Sequence, residues 1–379
     1  MRQLEHYIDV GQKRLRCGYT TGTCAAAAAH AAACKLLNGE APTAVMIETP
    51  AGIDAVIEVE EVSCGKDWAS CGVRKDGGDD PDITDGALVV AHVSYADEPG
   101  VEIDGGEGVG RVTREGLDQP VGAAAINSVP RQMIASEVEA IAHDCDYDGG
   151  LRVEISIPAG TELAKHTFNP RLGIEGGLSV LGSSGIVKPM SEDALVASVQ
   201  LELRQRHAEG ARGILLCPGN YGYDFARDEL SLDLKRGVQC SNYLGAALDY
   251  ACQLGFSSIL FVAHIGKMAK VAAGVMNTHS RVADARLETM AAHAALCGAS
   301  RELVARIMAS ITTDEAIAHL KEAGLLEETM SSIMEAVAKQ LRHRVGEGLQ
   351  IEAVTFSKEH GLLGKTPGAD RLIALHATG

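Results

Sequence analysis

Gly18-Tyr19-Thr20-Thr21-Gly22-Thr23-Cys24 places three Thr hydroxyls and a thiol just before a run of alanines. If that run is helical, free N–H groups and the positive end of its dipole converge there as a ready-made anion site. A plain helix cap explains the same residues, and both readings stand. The all-small face of such a helix also lets another backbone, or a flat ligand, come close. Downstream, Lys75-Asp76-Gly77-Gly78-Asp79-Asp80-Pro81-Asp82-Ile83-Thr84-Asp85 crowds carboxylates into one loop. The spacing lacks the alternate acidic positions and closing Glu of a calcium loop, so no metal is expected. The alternatives are a solvated acidic turn, or carboxylates that accept from ribose hydroxyls or face the cationic centre of a cofactor.

Gly105-Gly106-Glu107-Gly108-Val109-Gly110 fails as a dinucleotide fingerprint, because the third required glycine falls on Arg111 or Thr113. A glycine-rich hairpin fits better, with Arg111 and Arg114 beside it to meet carboxylates. Gly176-Gly177-Leu178-Ser179-Val180-Leu181-Gly182-Ser183-Ser184-Gly185 reads as an apolar strand entering a small-residue loop, with a helix from Ser191-Glu192-Asp193. That is the geometry of a cofactor or phosphate cradle, or simply of a turn. Cys217-Pro218-Gly219-Asn220-Tyr221-Gly222 and His264-Ile265-Gly266-Lys267 each follow an apolar run. Asn220 offers a donor and an acceptor, and His264 titrates near neutrality. Thr278-His279-Ser280-Arg281 with Asp284-Ala285-Arg286 reads as a helix start, where His279, Arg281 and Arg286 either capture carboxylates or face water.

The elements that position these groups follow from pattern. A helix is expected over 23–37, capped by Thr23 and stopped by Asn38-Gly39. Strands are expected at 44–49, 55–62, 87–94 and 151–157, with a helix at 131–143. Strands with few helices suggest an α+β domain over 1–170. Short apolar runs at 213–217 and 257–263 read as buried parallel strands, and 280–344 reads as helical with breaks at Ala299-Ser300 and Thr312-Thr313. A last strand at 349–356 returns to the sheet, giving an α/β domain over 171–379 whose ligands collect at the strand ends. The fold class is therefore α/β overall, without a classical Rossmann fingerprint.

Bulk properties narrow the partners. A chain of 379 residues suggests two domains. The formal charge of -17 repels a phosphate backbone, which excludes nucleic acid as a partner. No run approaches the ~20 apolar residues that cross a bilayer. Ten cysteines without a metal-site spacing read as reduced thiols of a cytoplasmic protein. A homo-oligomer is compatible with the sequence.

Taken in order, these segments resemble the cobalt-precorrin-5B C(1)-methyltransferases of the anaerobic cobalamin pathway. The resemblance runs through Arg14 to Cys24, Asp80-Pro81-Asp82, Gly108 to Thr113, Ala125-Ile126-Asn127, Val129-Pro130-Arg131, Leu181 to Val187, Pro218 to Gly222, Gly266-Lys267 and Thr278-His279-Ser280. Ala124 and Ala263 depart from the pattern, where proline and glycine are usual. The resemblance implies methyl transfer from S-adenosylmethionine to C1 of a cobalt-containing tetrapyrrole, with no protein-bound metal. An adenosyl cation then needs carboxylates and a polycarboxylate ring needs basic groups. On that division Thr20, Thr21, Gly22, Thr23, Gly182, Ser183, Ser184 and Gly185, with Asp80 and Asp82, are expected to hold the cofactor. Arg111, Asn220, Tyr221, Lys267, His279 and Arg286 are expected to hold the substrate, with His264 as a proton acceptor or polar orienter. The rival readings are a hydrolase using Cys24 or a Thr nucleophile, with His264 or His279 as base, and a non-catalytic corrinoid carrier.

Overall fold

The computed structural model describes residues 4–377. The chain divides into two compact units, Met1–Glu192 and Asp193–Gly379.

The first unit is α+β. Its main sheet runs in the order Glu60–Cys64, Trp68–Arg74, Leu88–Ala96, Gly150–Ser156 and Gly100–Gly105, antiparallel except for the last pair. Helices Thr21–Asn38 and Ser128–Asp144 pack together, the first lying against the sheet. Ala25–Ala29 and Ala31–Ala33 have no exposed surface at all. Alanine combines the best helix propensity with a side chain small enough to lie between a sheet and a second helix. Protein, and no flat ligand, therefore occupies the small-residue face.

Several expectations are corrected here. The alanine helix begins at Thr21, with Thr20 and not Thr23 as its cap. The run 55–62 is two strands, because Asp54–Glu58 pairs with Ala44–Glu48 while Glu60–Cys64 joins the main sheet. Residues 105–110 form no hairpin: the strand before them joins the main sheet, and Arg111–Val112 pairs with Ile174–Glu175. That pairing, with Ile186–Val187 against Gly18–Tyr19, keeps 171–192 in the first unit. The division thus falls after Glu192 and not after residue 170.

The second unit is α/β. Its sheet order is Gly237–Gln239, Gly213–Cys217, Ser258–His264, Gln350–Ser357 and Gly361–Lys365, the first four parallel and the last antiparallel. In chain order this is 2-1-3-4-5, a doubly wound arrangement with its switch point between Gly213–Cys217 and Ser258–His264. Separate apolar clusters cover the two faces. The expected breaks at Ala299-Ser300 and Thr312-Thr313 are present, where Ser300 and Thr312 cap helices Arg301–Ala309 and Thr313–Glu322. Residues 280–285 are not helical, and that helix starts only at Arg286. Among the described residues, no helix is long and apolar enough to cross a membrane.

Candidate functional site

At the start of the alanine helix, the polar groups meet one another. Thr20 Oγ1 accepts from the Thr23 N–H at 3.2 Å, and Thr23 Oγ1 donates to the Gly185 carbonyl at 2.7 Å. Thr21 Oγ1 accepts from the Leu181 N–H at 3.0 Å, while the Gly22 N–H donates to the Leu181 carbonyl at 3.1 Å. Gly182 has φ +130°, and a Cβ there would lie 2.4 Å from the Thr20 side chain. The two loops that the sequence assigned to one ligand lie against each other, and the Gly22, Thr23 and Cys24 N–H groups expected to be free are taken. Ser184 Oγ turns to the Ile186 carbonyl at 3.0 Å, and Ser183 is exposed. Cys24 is fully buried, and burial pushes its thiol up to about 12. That disfavours Cys24 as the nucleophile of the hydrolase reading, which leaves the Thr hydroxyls as its other candidates.

The acidic loop is likewise knitted to its own surroundings. Asp76 grips the Arg16 guanidinium at 2.5 and 2.8 Å, which with the Gly78 N–H holds its carboxyl low despite burial. Asp79 accepts from the Arg16 N–H, Asp80 from the Met190 N–H at 2.8 Å, and Asp85 from the Gly77 N–H at 2.7 Å. Asp82 meets the buried Lys75 ammonium at 2.6 Å and caps Thr84. Asp82 therefore spends its oxygens within the loop, and Asp80 spends one on the distant Met190 N–H. Arg111 is clamped by Asp104 at 2.7 and 3.0 Å and donates to the Gly105 carbonyl.

The second unit behaves differently. The loops after Gly213–Cys217 and Ser258–His264 flank the switch point, where strand carboxyl ends diverge. Gly219 is extended, with nothing within 4 Å of where a Cβ would be. Asn220 is exposed and accepts from Gln239 Nε2 at 2.8 Å, and Tyr221 is 61% exposed with the Lys358 ammonium 3.2 Å from its ring centroid. Lys267 donates to Asn242 Oδ1 at 2.9 Å and to the Ser241 carbonyl at 3.3 Å. Thr278 Oγ1 donates to the same Asn242 oxygen, and the buried Lys270 donates to the Thr278 carbonyl at 3.1 Å. Among the described residues neither lysine has a carboxylate at ion-pair distance, and burial lowers the pKa of both.

Gly266 opens helix Ile265–Ala272, and a Cβ there would lie within 4 Å of Thr313 Oγ1 and Arg286 Cδ. Three helix starts thus converge beside His264 and Lys267. Arg286 is held by Asp284 at 2.7 Å through two nitrogens, and this pairing draws the Asp284 carboxyl down to about 2. His279 Nδ1 accepts from the Arg281 N–H, so it closes its own turn. His264 Nδ1 accepts from the Gly266 N–H at 3.2 Å, and Nε2 lies 4.0 Å from Asp314 Oδ2. Burial lowers the His264 pKa against the pull of Asp314.

Residues 8–189 match the CbiD family model, and residues 277–367 match the model described as CbiD, C-terminal domain. The cobalt-precorrin-5B C(1)-methyltransferase of Ruminiclostridium cellulolyticum is 47% identical, with 93% of this chain and 92% of that one covered. The chain belongs to the CbiD family. The enzyme of the same name from Thermoanaerobacter sp. is 44% identical, with 96% and 98% covered. A crystal structure of a CbiD cobalamin biosynthesis protein from Archaeoglobus fulgidus is 28% identical over 74% of this chain and 87% of that one, with a TM-score of 0.40.

Sequence reasoning missed Asn242, Lys270, Asp314, Ser357 and Lys358 in this CbiD chain. Lys358 was within reach, since it follows the strand expected at 349–356 and strand-end loops were already suspect. Asn242 follows a strand of three residues, Gly237–Gln239, too short to leave a period. Asp314 arrives from a distant helix, which no local signal announces.

Proposed function

We propose that this chain transfers the methyl group of S-adenosylmethionine to C1 of cobalt-precorrin-5B, in cobalamin biosynthesis. The observation that carries this reading is the 47% identity over 93% of the chain to a protein bearing that activity in its name. A sulfonium methyl is already activated, and the electron-rich ring carbon supplies the bonding pair while sulfur keeps the other. The protein's work is then proximity and alignment, with no obligatory base. Lys267 suits a substrate carboxylate because its ammonium is partly desolvated and meets only neutral acceptors. Asn220 and Tyr221 offer a polar group and an exposed ring on the neighbouring loop. Arg286 binds a carboxylate only by sharing it with Asp284, and Arg111 only by sharing with Asp104. The Thr20–Thr23 and Gly182–Gly185 loops support the reading as a brace, since the Thr21 and Thr23 hydroxyls and the Thr20 and Gly22 N–H groups bond to the backbone at Leu181 and Gly185.

Incubation with methyl-labelled S-adenosylmethionine and cobalt-precorrin-5B tests the reading. Label is expected in the ring at C1, seen by carbon NMR of the product. Folded protein that binds the corrinoid and never transfers label is the carrier reading instead. Cobalt enters with the substrate, so turnover is expected to survive chelation of free divalent ions.

A further inference from the structure

We propose that His264 and Asp314 form the ribose subsite for the methyl donor, at the switch point of the second unit. This rests on the methyltransferase reading above and adds the place where the donor's nucleoside is held. The argument is an inventory of protons. The Gly266 N–H points at His264 Nδ1 from 3.2 Å, so that nitrogen carries a lone pair and no proton. Burial keeps the imidazole below its usual pKa, hence neutral at pH 7, with its one proton on Nε2. His264 therefore presents a donor and cannot act as a base at Nε2. Its nearest partner, Asp314 Oδ2, is 4.0 Å away, too far for a hydrogen bond.

Asp314 is equally unfinished. Its other oxygen, Oδ1, accepts from Ser357 Oγ, which itself accepts from the Glu359 and His360 N–H groups at 3.1 and 3.2 Å. Oδ2 has no hydrogen-bond donor among the described residues. The two side chains are 26% and 22% exposed, so they are held firmly yet open to solvent. The 4.0 Å gap lets one oxygen stand about 2.8 Å from each, within hydrogen-bond reach of both. A hydroxyl accepts from Nε2–H and donates to Oδ2, so both open valences close on one group. A carboxylate cannot do this, because it has no proton for Oδ2 and is repelled by it. Of the two reactants, the polycarboxylate ring is disfavoured here and the ribose of the donor is favoured. Gly219, with open space beside it on the adjoining loop, leaves room for the ligand backbone. Lys267, one turn along the helix that His264 caps, then places a substrate carboxylate close to the donor.

Calorimetry with S-adenosylhomocysteine and its 2′-deoxy and 3′-deoxy forms tests this. On wild type, one deoxy form is expected to bind about tenfold or more weakly than the parent. His264→Asn keeps an acceptor for the Gly266 N–H while its shorter amide no longer places a donor at the Nε2 position, and Asp314→Asn removes the charge. Each is expected to weaken the parent by a similar factor and to abolish discrimination against the deoxy form. Equal binding of all three nucleosides to wild type overturns the subsite without needing any variant. Folded variants with wild-type affinity overturn it too, and in both cases the methyltransferase reading stands. Wild type that binds no S-adenosylhomocysteine removes both.

Discussion

The two units use similar residues to opposite ends. In the first, Thr20, Thr21, Thr23 and the acidic loop each spend at least one bond on neighbouring groups of the protein. In the second, Lys267, His264 and Asp314 stop short of completion, each holding an unused donor or acceptor at the strand ends. A glycine and hydroxyl motif is thus equally good as a brace or as a site. What separates them is whether the hydrogen-bonding capacity is spent inside the protein, because a spent group has nothing left to offer a ligand.

The largest expected effect breaks the first side of that contrast. Asp82→Asn leaves the Lys75 ammonium, 2% exposed, without its counter-charge. A loss of about 3–5 kcal/mol of stability is expected by denaturant titration, followed by fluorescence of Trp68, the single tryptophan. A loss below about 1 kcal/mol would mean that the loop is not the brace described. Gly78→Ala should follow at about 2–4 kcal/mol. It has φ +68°, and its Cβ would lie 2.4 Å from the Arg16 carbonyl. Gly219→Ala, extended and in open space, is its counterpart: melting is expected within the ordinary scatter of surface changes, about 0.5 kcal/mol, while donor affinity falls. Destabilisation there would place Gly219 in the scaffold.

Lys267→Gln is expected to raise the substrate KM and lower kcat/KM by about 1–3 kcal/mol, with melting nearly unchanged. A normal KM would assign the carboxylates elsewhere. The smallest effect is a difference in sign with pH. Burial alone would lower the His30 pKa, but its bonds to Cys34 and Glu137 win and raise it to about 9. Its contribution is fully present below the unfolded value of about 6.5 and lost as pH climbs through 9. His264, His293 and His376, in the second unit, are lowered by burial. Their unfolded forms bind protons first, so that stability is present above about 6.5 and lost as pH falls. Hydrogen exchange resolved by unit should show the first loosening toward pH 9 and the second toward pH 5.

Local pattern alone was enough for the alanine helix and its Gly39 stop, for the Gly213–Cys217 strand, and for the helix breaks at Ala299-Ser300 and Thr312-Thr313. Each is decided by neighbours within a few residues: propensity, an αL glycine, a hydroxyl facing an N–H. The family likeness was legible too, since its motifs are contiguous. Only the tertiary structure decided that Leu181 and Gly185 fill the hydroxyl cluster at Thr20–Thr23, and that 171–192 stays with the first unit. It also decided that Asp314 stands 4.0 Å from His264, fifty positions earlier in the chain. Such pairings depend on how distant segments close upon one another. A sequence shows which donors and acceptors a chain possesses, while folding determines which of them remain unspent.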